Sequence, residues 1–405
     1  MMDSASTYGS LLRRVRRLGL GAGVAGLLAA AGGLIVDAEA FFQGWLAAWV
    51  FWMGVPLGSL ALLMLHHVAG GAWGLATRRL LEAGALTIGL MAVFFLPVLF
   101  GMRELYEWTH ADVVAEDPKL QHKRPYLNTP FFVIRNLIYF AFWIGTAYFL
   151  RKWSARLDET GNPKRVARLR QISAVGLIGH VLLLTFATTD WVMSLEPHWF
   201  SSIFSWMMLT SETLTALAIT ILVLRALREY EPLAGLVRTK HFHDYGNLTL
   251  AFVILWTYMM FAQYVIIWAG NLPEDIGWYV HRRKPGWGWI PYVLLIFHFA
   301  LPFFLLLSRR VKRSARALSM LAAGILSVHV IFVAWLVLPS FEHAPVASLL
   351  IAASSFVGIG GALAAAYAYF LAQRPLLIRK DPRFEEQLEQ ASANEKDAAA
   401  HPDAS

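Results

Sequence analysis

Two adjacent histidines, His66 and His67, end an apolar stretch and precede a glycine cluster in LGSLALLMLHHVAGGAWG, residues 57–74. Paired imidazoles at a helix end could bind haem iron or copper, bind a quinone, relay protons or mark a membrane edge. Neighbouring helical residues point about 100° apart, so the two rings cannot ligate one iron from the same side. The histidines expected on the same side, His241 and His243, lie in a loop. Proton uptake or anchoring in the lipid headgroups is therefore the favoured interpretation.

Several ionisable side chains interrupt other apolar stretches. Such groups are costly at membrane depth and are functional candidates for that reason. His180, Glu212, His298 and His329 lie well inside their stretches, and Arg135 and Asp190 lie nearer the ends. Taken singly, each histidine favours a structural role in a satisfied core. Taken together, they predict that some of them belong to a proton path.

The stretch around Glu212 also carries a polar stripe. Ser201, Ser205, Glu212 and Thr215 follow one another at spacings of four, seven and three residues, which a helix places on roughly one face. Such a stripe can line a hydrated half-channel that ends at the carboxyl group. Alternatively, the hydroxyls bond to neighbouring helices and Glu212 stays protonated beside one partner.

A third group of polar residues lies in TFATTDWVMSLEPHWF, residues 185–200. Asp190, Glu196 and His198 alternate there with tryptophans. Residue physics favours an interfacial aromatic belt with solvated charges. The functional alternative is a proton exit or the edge of a quinone site.

The composition identifies the elements that must position these residues. The chain has 405 residues, of which 57% are hydrophobic and 15% charged, whereas soluble proteins carry about 25% charged residues. This predicts an all-α, polytopic membrane protein. The chain has no cysteine, which excludes thiolate metal sites, iron–sulfur ligation and disulfides within it. No metal or other cofactor site is expected in the chain.

A spanning helix needs roughly 20 mostly apolar residues, and this rule predicts about ten spans. They cover residues 18–37, 41–66, 81–101, 130–150, 171–190, 199–224, 247–269, 288–307, 317–338 and 346–372. Residues 1–375 therefore form the transmembrane domain. Residues 376–405, acidic and rich in alanine, are predicted to be a partly disordered cytoplasmic tail.

The distribution of Lys and Arg predicts the orientation. If the N-terminus is cytoplasmic, 27 of the 35 basic residues fall on inner segments and 7 on outer loops. Both termini are then cytoplasmic, and the net charge of +8 is a topology signal with anionic lipid as its partner, not nucleic acid. His66, His67, His243 and Asp244 become candidates for proton uptake from the inner side.

The first span permits a second interpretation. A basic start, an apolar stretch and the tripeptide Ala38-Glu39-Ala40 resemble a cleaved secretory signal. The apolar stretch is longer than in most signals, so a retained anchor is favoured. Small residues four apart predict close helix packing in three spans, at Gly19 and Gly23, Gly54 and Gly58, and Ser354 and Gly358.

Several long strings resemble one family. They are FFQGWLAAWVFWMGVPLGSLALLMLHHVAGGAWG, DWVMSLEPHWFSSIF and KHFHDYGNLTLAFVILWTYMMFAQYVIIWAGNLPEDIGWYVHR. Together with the ten-span plan, they resemble the ActF family of integral membrane subunits of bacterial alternative complex III, related to NrfD-like quinol-interacting subunits. The resemblance covers about residues 20–372.

The resemblance implies a bacterial inner-membrane quinol:electron-acceptor oxidoreductase in which this chain has no redox centre. Haem c and iron–sulfur clusters would lie on partners: cytochrome c subunits and an iron–sulfur subunit. The NrfD-like ActC subunit, which carries the family's quinol site, and a terminal oxidase are further implied partners. The family's fold is two four-helix bundles, spans two to five and six to nine, with spans one and ten peripheral.

Four functions remain open from the sequence. The first is a cofactor-free subunit that conducts protons through His180, Asp190 and Glu212, and the second is a purely structural subunit. The third is a stand-alone secondary transporter, against which the spans lack clear paired broken helices. The fourth is a quinol-binding subunit with a site around Asp190, Glu196 and His198.

Overall fold

The computed structural model describes residues 4–234, 236–341 and 346–377. It is 85% helical and contains no strand in these residues. Ten helical segments are long and apolar enough to cross a membrane. The predicted all-α polytopic fold is therefore confirmed, whereas the predicted tail lies outside the described residues from position 378 onward.

The ten segments, called spans one to ten below, extend beyond most of the predicted boundaries. They are Tyr8–Val36, Ala38–Ala69, Ala76–Phe100, Thr129–Thr160, Pro163–Leu195, Phe204–Leu227, Thr239–Gly270, Ile290–Leu307, Ala315–Ser340 and Leu349–Ala372. Polar caps mark several starts. Asp37 accepts a hydrogen bond from the amide of Ala40 at 2.9 Å, and Asn128 accepts one from the amide of Phe131 at 2.9 Å.

Two spans are not uniform α-helices. Span three is built from Ala72–Leu86, Ile88–Val93 and Leu96–Phe100 in succession. Span eight contains a π-helical turn, Leu294–Ala300, between Ile290–Val293 and Leu301–Leu307. Such turns occur frequently at functional sites, and this one carries His298.

Short helices form the connections. On the predicted outer side they are Met102–Leu105, Glu107–Thr109, Ala111–Glu116, Pro118–Lys123, Met193–Leu195 and Pro273–His281, and Leu338–Ser340 closes span nine. Arg309–Arg313 joins spans eight and nine on the predicted inner side. The connections hold the span ends close to one another without forming a separate domain among the described residues.

Spans two and six form the centre of the molecule. Of their most apolar windows, 83% and 78% are buried, more than in any other span. Span two packs with spans three and five, and span four lies against those two, so spans two to five form one group of four. Span six packs with spans seven and nine, and span eight lies against those two, so spans six to nine form the other group. The two central spans also contact each other. Spans one and ten pack together and lie against span two. Side chains from both groups of four therefore meet around spans two and six.

The predicted close packing of small residues is confirmed. A Cβ atom on Gly58 would collide with the backbone carbonyl of Glu212, so span six approaches span two at a glycine. Gly19 and Gly23 likewise face the backbone of span ten near Gly361. Backbones can approach this closely only where a side chain is missing.

Candidate functional site

An enclosed polar contact joins spans five and six. Nε2 of His180 lies 2.6 Å from Oε1 of Glu212, and the two side chains are 0% and 5% exposed. The ring of Trp143 lies beside His180, with centroids 6.0 Å apart. The sequence predicted both residues separately, and the structure places them in direct contact.

A second polar chain starts one residue before Glu212. Ser211 Oγ lies 2.7 Å from Nε2 of His329, and Nδ1 of His329 lies 3.0 Å from Nε2 of His298. Trp256 packs over His298 with a centroid distance of 4.1 Å. Both histidines are buried. The two contacts link span six to span nine and span nine to span eight.

A small internal cavity connects the two chains. Its volume is about 20 Å³; its lining is mostly apolar, and its polar residues are Thr188, Ser211, Glu212, Thr215 and His329. A water molecule needs about 10–15 Å³ measured in this way, together with two to four polar partners. The cavity has room for one such molecule between the carboxyl of Glu212 and the imidazole of His329.

The chemistry available to this cluster is proton transfer. Imidazole can take up and release protons on its two nitrogens, and a carboxyl group can do so through its oxygens. Throughout the part of the chain that the structure describes, no three His, Asp or Glu side chains are grouped closely enough to hold a metal ion. We call His180, Glu212, Ser211, His329 and His298 the central polar cluster.

The predicted stripe on span six is correct for three of its four members. Glu212 and Thr215 line the cavity, and Ser205 accepts a hydrogen bond from Thr188 at 3.0 Å. Ser201 lies before the helix, which begins at Phe204, and it donates to Gln263 of span seven. The helical assignment of Ser201 was wrong because the turn after span five uses those residues.

Asp190 lies at the end of span five and is 0% exposed. Arg135 donates two hydrogen bonds to it, at 2.9 and 2.8 Å, and the hydroxyl of Tyr139 donates a third at 2.9 Å. Burial and the nearby Asp190 carboxylate raise the pKa of Tyr126, whose ring lies under the Arg135 guanidinium. The expectation of a solvated charge was wrong for Asp190, because a cation on the neighbouring span encloses it.

Glu196 belongs to a different contact. Arg282 donates to Glu196 Oε1 at 2.6 Å and lies over the Trp278 ring at 3.7 Å from its centroid. Burial lowers the pKa of Arg282, and the charge of Glu196 acts against that shift. His198 is 44% exposed and pairs with Asp117 at 3.0 Å. Asp190, Glu196 and His198 therefore take three separate partners.

The double histidine also differs from its prediction. His66 and His67 are 1% and 3% exposed, and Nδ1 of His67 lies 2.9 Å from the hydroxyl of Ser173 in span five. The turn that follows uses Gly70 and Gly71 at φ of 76° and 102°, values that favour glycine. Anchoring in headgroups was wrong because spans three and five cover the rings.

The other inner-side candidates lie near the start of span seven. His243 and Asp244 are 27% and 28% exposed, and their side chains approach within 3.9 Å. They are partly exposed at the start of the span, unlike the buried pair His66 and His67. The structure thus separates the four uptake candidates into an enclosed pair and an accessible pair.

Sequence reasoning missed a buried ionic cluster where the start of span three meets the end of span four. Arg79 contacts Glu82 at 2.6 Å and also pairs with Asp158, while Arg78 donates to Ser154 at 2.7 Å. Ser154 and Glu82 also bond to each other. The signal was available, because Glu82 follows Arg78 and Arg79 by one helical turn inside an apolar stretch. The cluster was missed because the two arginines were assigned to a loop and not to the helix that contains Glu82.

Comparison with known proteins adds no assignment: neither a protein family nor a curated protein matches this sequence.

Proposed function

We propose that this multi-pass membrane protein is a cofactor-free subunit of a bacterial inner-membrane quinol:electron-acceptor oxidoreductase of the alternative complex III type, and that it conducts protons. The observation that carries the proton role is the central polar cluster. Its members come from spans five, six, eight and nine, and three of them, Ser211, Glu212 and His329, line one water-sized cavity. The complex itself is supported by the sequence resemblance and by the ten-span fold.

In this proposal the cluster holds and transfers protons near mid-membrane. Glu212 contacts His180 and also lines the cavity. It can therefore exchange a proton with His180 or with a water molecule in the cavity. His329 lines the same cavity and passes the proton to His298 over 3.0 Å. These separations lie within hydrogen-bond reach, which proton transfer requires.

The ends of the path are assigned by position. The inner candidates His66, His67, His243 and Asp244 supply protons, and Asp190 releases them on the outer side. Both termini are cytoplasmic in this arrangement, as the excess of basic residues on the inner segments supports. Haem c and iron–sulfur clusters belong to partner subunits, because this chain has no cysteine to hold either group. The sequence resemblance assigns the quinol site to a partner as well.

A purely structural role is the second candidate, and the same bonds support it. Each contact in the cluster joins a different pair of spans: five with six, six with nine, and nine with eight. Hydrogen bonds between spanning helices stabilise bundles by about 0.6 kcal/mol on average. A structural role requires only that the bonds form, whereas proton conduction also requires that they exchange protons.

The experiment uses the intact complex reconstituted in vesicles, with Glu212→Gln and His180→Ala in this chain. Proton pumping should be lost while quinol oxidation is retained. Thr220→Val is the matched control, because Thr220 is buried in the same span and bonds only to the carbonyl of Ala216 among the described residues. Unchanged pumping in fully assembled complex would exclude the proton role. A chain that purifies in mild detergent without haem-bearing partners would exclude the complex.

A further inference from the structure

A groove of about 610 Å³ lies between spans four and five, away from the central polar cluster. It is lined at its apolar end by Phe142, Thr146, Phe149, Ile172 and Val175. Its volume falls in the range of sites for small molecules, roughly 300–1,000 Å³. Phe149 and Val175 are 50% and 69% exposed, so this end opens toward the lipid that surrounds a spanning bundle.

The other end of the groove is cationic. Lys152, Arg156 and Arg168 line it, together with Gln171. The guanidinium groups of Arg156 and Arg168 lie 5.1 and 5.8 Å from the ring centroid of Trp153, so one indole is near both cations. Among the residues that the structure describes, no carboxylate pairs with any of the three cations.

We propose that this groove binds one anionic phospholipid. The phosphate would lie against Lys152, Arg156 and Arg168, and an acyl chain would follow the apolar end past Phe149 and Val175. Guanidinium groups recognise phosphate oxygens through paired hydrogen bonds. Basic pockets between spanning helices on the cytoplasmic side are suited to such headgroups, and each cation near the surface strengthens binding about fivefold. This inference does not depend on the proposed function.

The groove has one cationic end and one apolar end, and this combination distinguishes between possible ligands. A neutral quinone would leave three cations without a counter-charge, and free phosphate would leave the apolar end unused. The segment 151–170 carries seven basic residues, the largest such group in the chain, and the charge distribution predicts that it faces the anionic cytoplasmic leaflet. An anionic lipid satisfies both ends of the groove at once.

Native mass spectrometry of the full chain in detergent tests the proposal. Phosphatidylglycerol or cardiolipin is added in parallel with phosphatidylcholine. The unchanged protein should retain the anionic lipids selectively, and Lys152→Gln/Arg156→Gln/Arg168→Gln should weaken retention at least about tenfold. The matched control is Arg309→Gln/Arg310→Gln/Arg313→Gln, which removes the same charge from an exposed inner segment between spans eight and nine.

A second variant keeps the charges and fills the groove. Val175→Trp places a large side chain at an exposed position on the apolar end and should also reduce lipid retention. Equal retention by the charge variant and its control would overturn the proposal. So would equal binding of phosphatidylcholine, insensitivity to Val175→Trp, or displacement of the lipid by inorganic phosphate alone.

Discussion

Nε2 of His180 and Oε1 of Glu212 lie 2.6 Å apart on adjacent spans, and neither side chain is more than 5% exposed. Each is an ionisable group in an otherwise apolar stretch, and each gives the other a hydrogen-bond partner. Ser211, the residue before Glu212, begins the second polar chain toward His329 and His298. Span six therefore links the two four-span groups through neighbouring residues.

The His180–Glu212 contact should appear as energetic coupling. His180→Leu and Glu212→Leu each leave one buried polar partner unsatisfied, so each should lower the free energy of unfolding by about 1–3 kcal/mol. The double variant should lose less than the sum of the two. Unfolding of the four proteins in mixed micelles measures the coupling directly. Strict additivity would show that the contact contributes nothing specific to stability.

Gly58→Ala should separate spans two and six at Glu212. The added methyl group would meet the Glu212 carbonyl, which is backbone and cannot rotate away. We expect destabilisation of about 1–3 kcal/mol, as for overpacking in a filled core. Gly324→Ala is the matched control, because its Cβ would meet nothing within 4 Å and its span should gain about 0.5–1 kcal/mol from higher helix propensity. Thermal unfolding in detergent compares the two, and equal effects would contradict the close approach.

Removing the Asp190 carboxylate while Arg135 remains should lower the stability of the protein more than removing both side chains. Asp190→Leu leaves the Arg135 guanidinium without the partner that accepts two of its hydrogen bonds, at an expected cost of about 3–5 kcal/mol. Arg135→Leu/Asp190→Leu removes the stranded charge and should recover part of that loss. Chemical unfolding of both variants measures the difference. A double variant less stable than Asp190→Leu would show that the charge is not the cause.

The connection between spans three and four and the connection between spans seven and eight should separate at low and at high pH. Lys119 donates to Glu274 at 2.8 Å, and this bond lowers the pKa of Glu274 from its ordinary 4.5 and raises that of Lys119 from 10.5. The contribution of Glu274 is present above pH 4.5 and is lost as the pH falls through its lowered pKa. That of Lys119 is present below pH 10.5 and is lost as the pH rises through its raised pKa.

Spin labels can test this, because the chain has no natural cysteine. Labels at Glu116→Cys and Asp275→Cys, one on each connection, should give a narrow distance distribution near neutral pH. The distribution should broaden in acid, in strong base and in Lys119→Gln, but not in the control Lys284→Gln, whose exposed lysine lies on the second connection. A distribution unaffected by Lys119→Gln would exclude the ion pair as the link.

The sequence predicted the spans correctly because apolar residues continue along the whole length of each helix. Twenty apolar residues define a span whatever surrounds them, so all ten spans were predicted, although Ser201 was assigned to a helix that begins at Phe204. Glu212, His180, His298 and His329 were identified because charge is costly in lipid. The ionic cluster around Glu82 was missed because Arg78 and Arg79 have the sequence pattern of a loop end, although Glu82 follows them by one helical turn. Their further partners on span four, Ser154 and Asp158, depend on the tertiary structure.

The sequence by itself determined an all-α protein of ten spans, the positions of its intramembrane ionisable residues and the small residues that permit close packing. These are local properties, since span length, hydropathy and the missing Cβ of glycine do not depend on distant residues. The tertiary structure alone decided that His180 meets Glu212, that His329 meets His298, and that Arg135 encloses Asp190. Those contacts depend on which faces of separate spans meet, and helix rotation and pairing are set by packing between elements far apart in the chain.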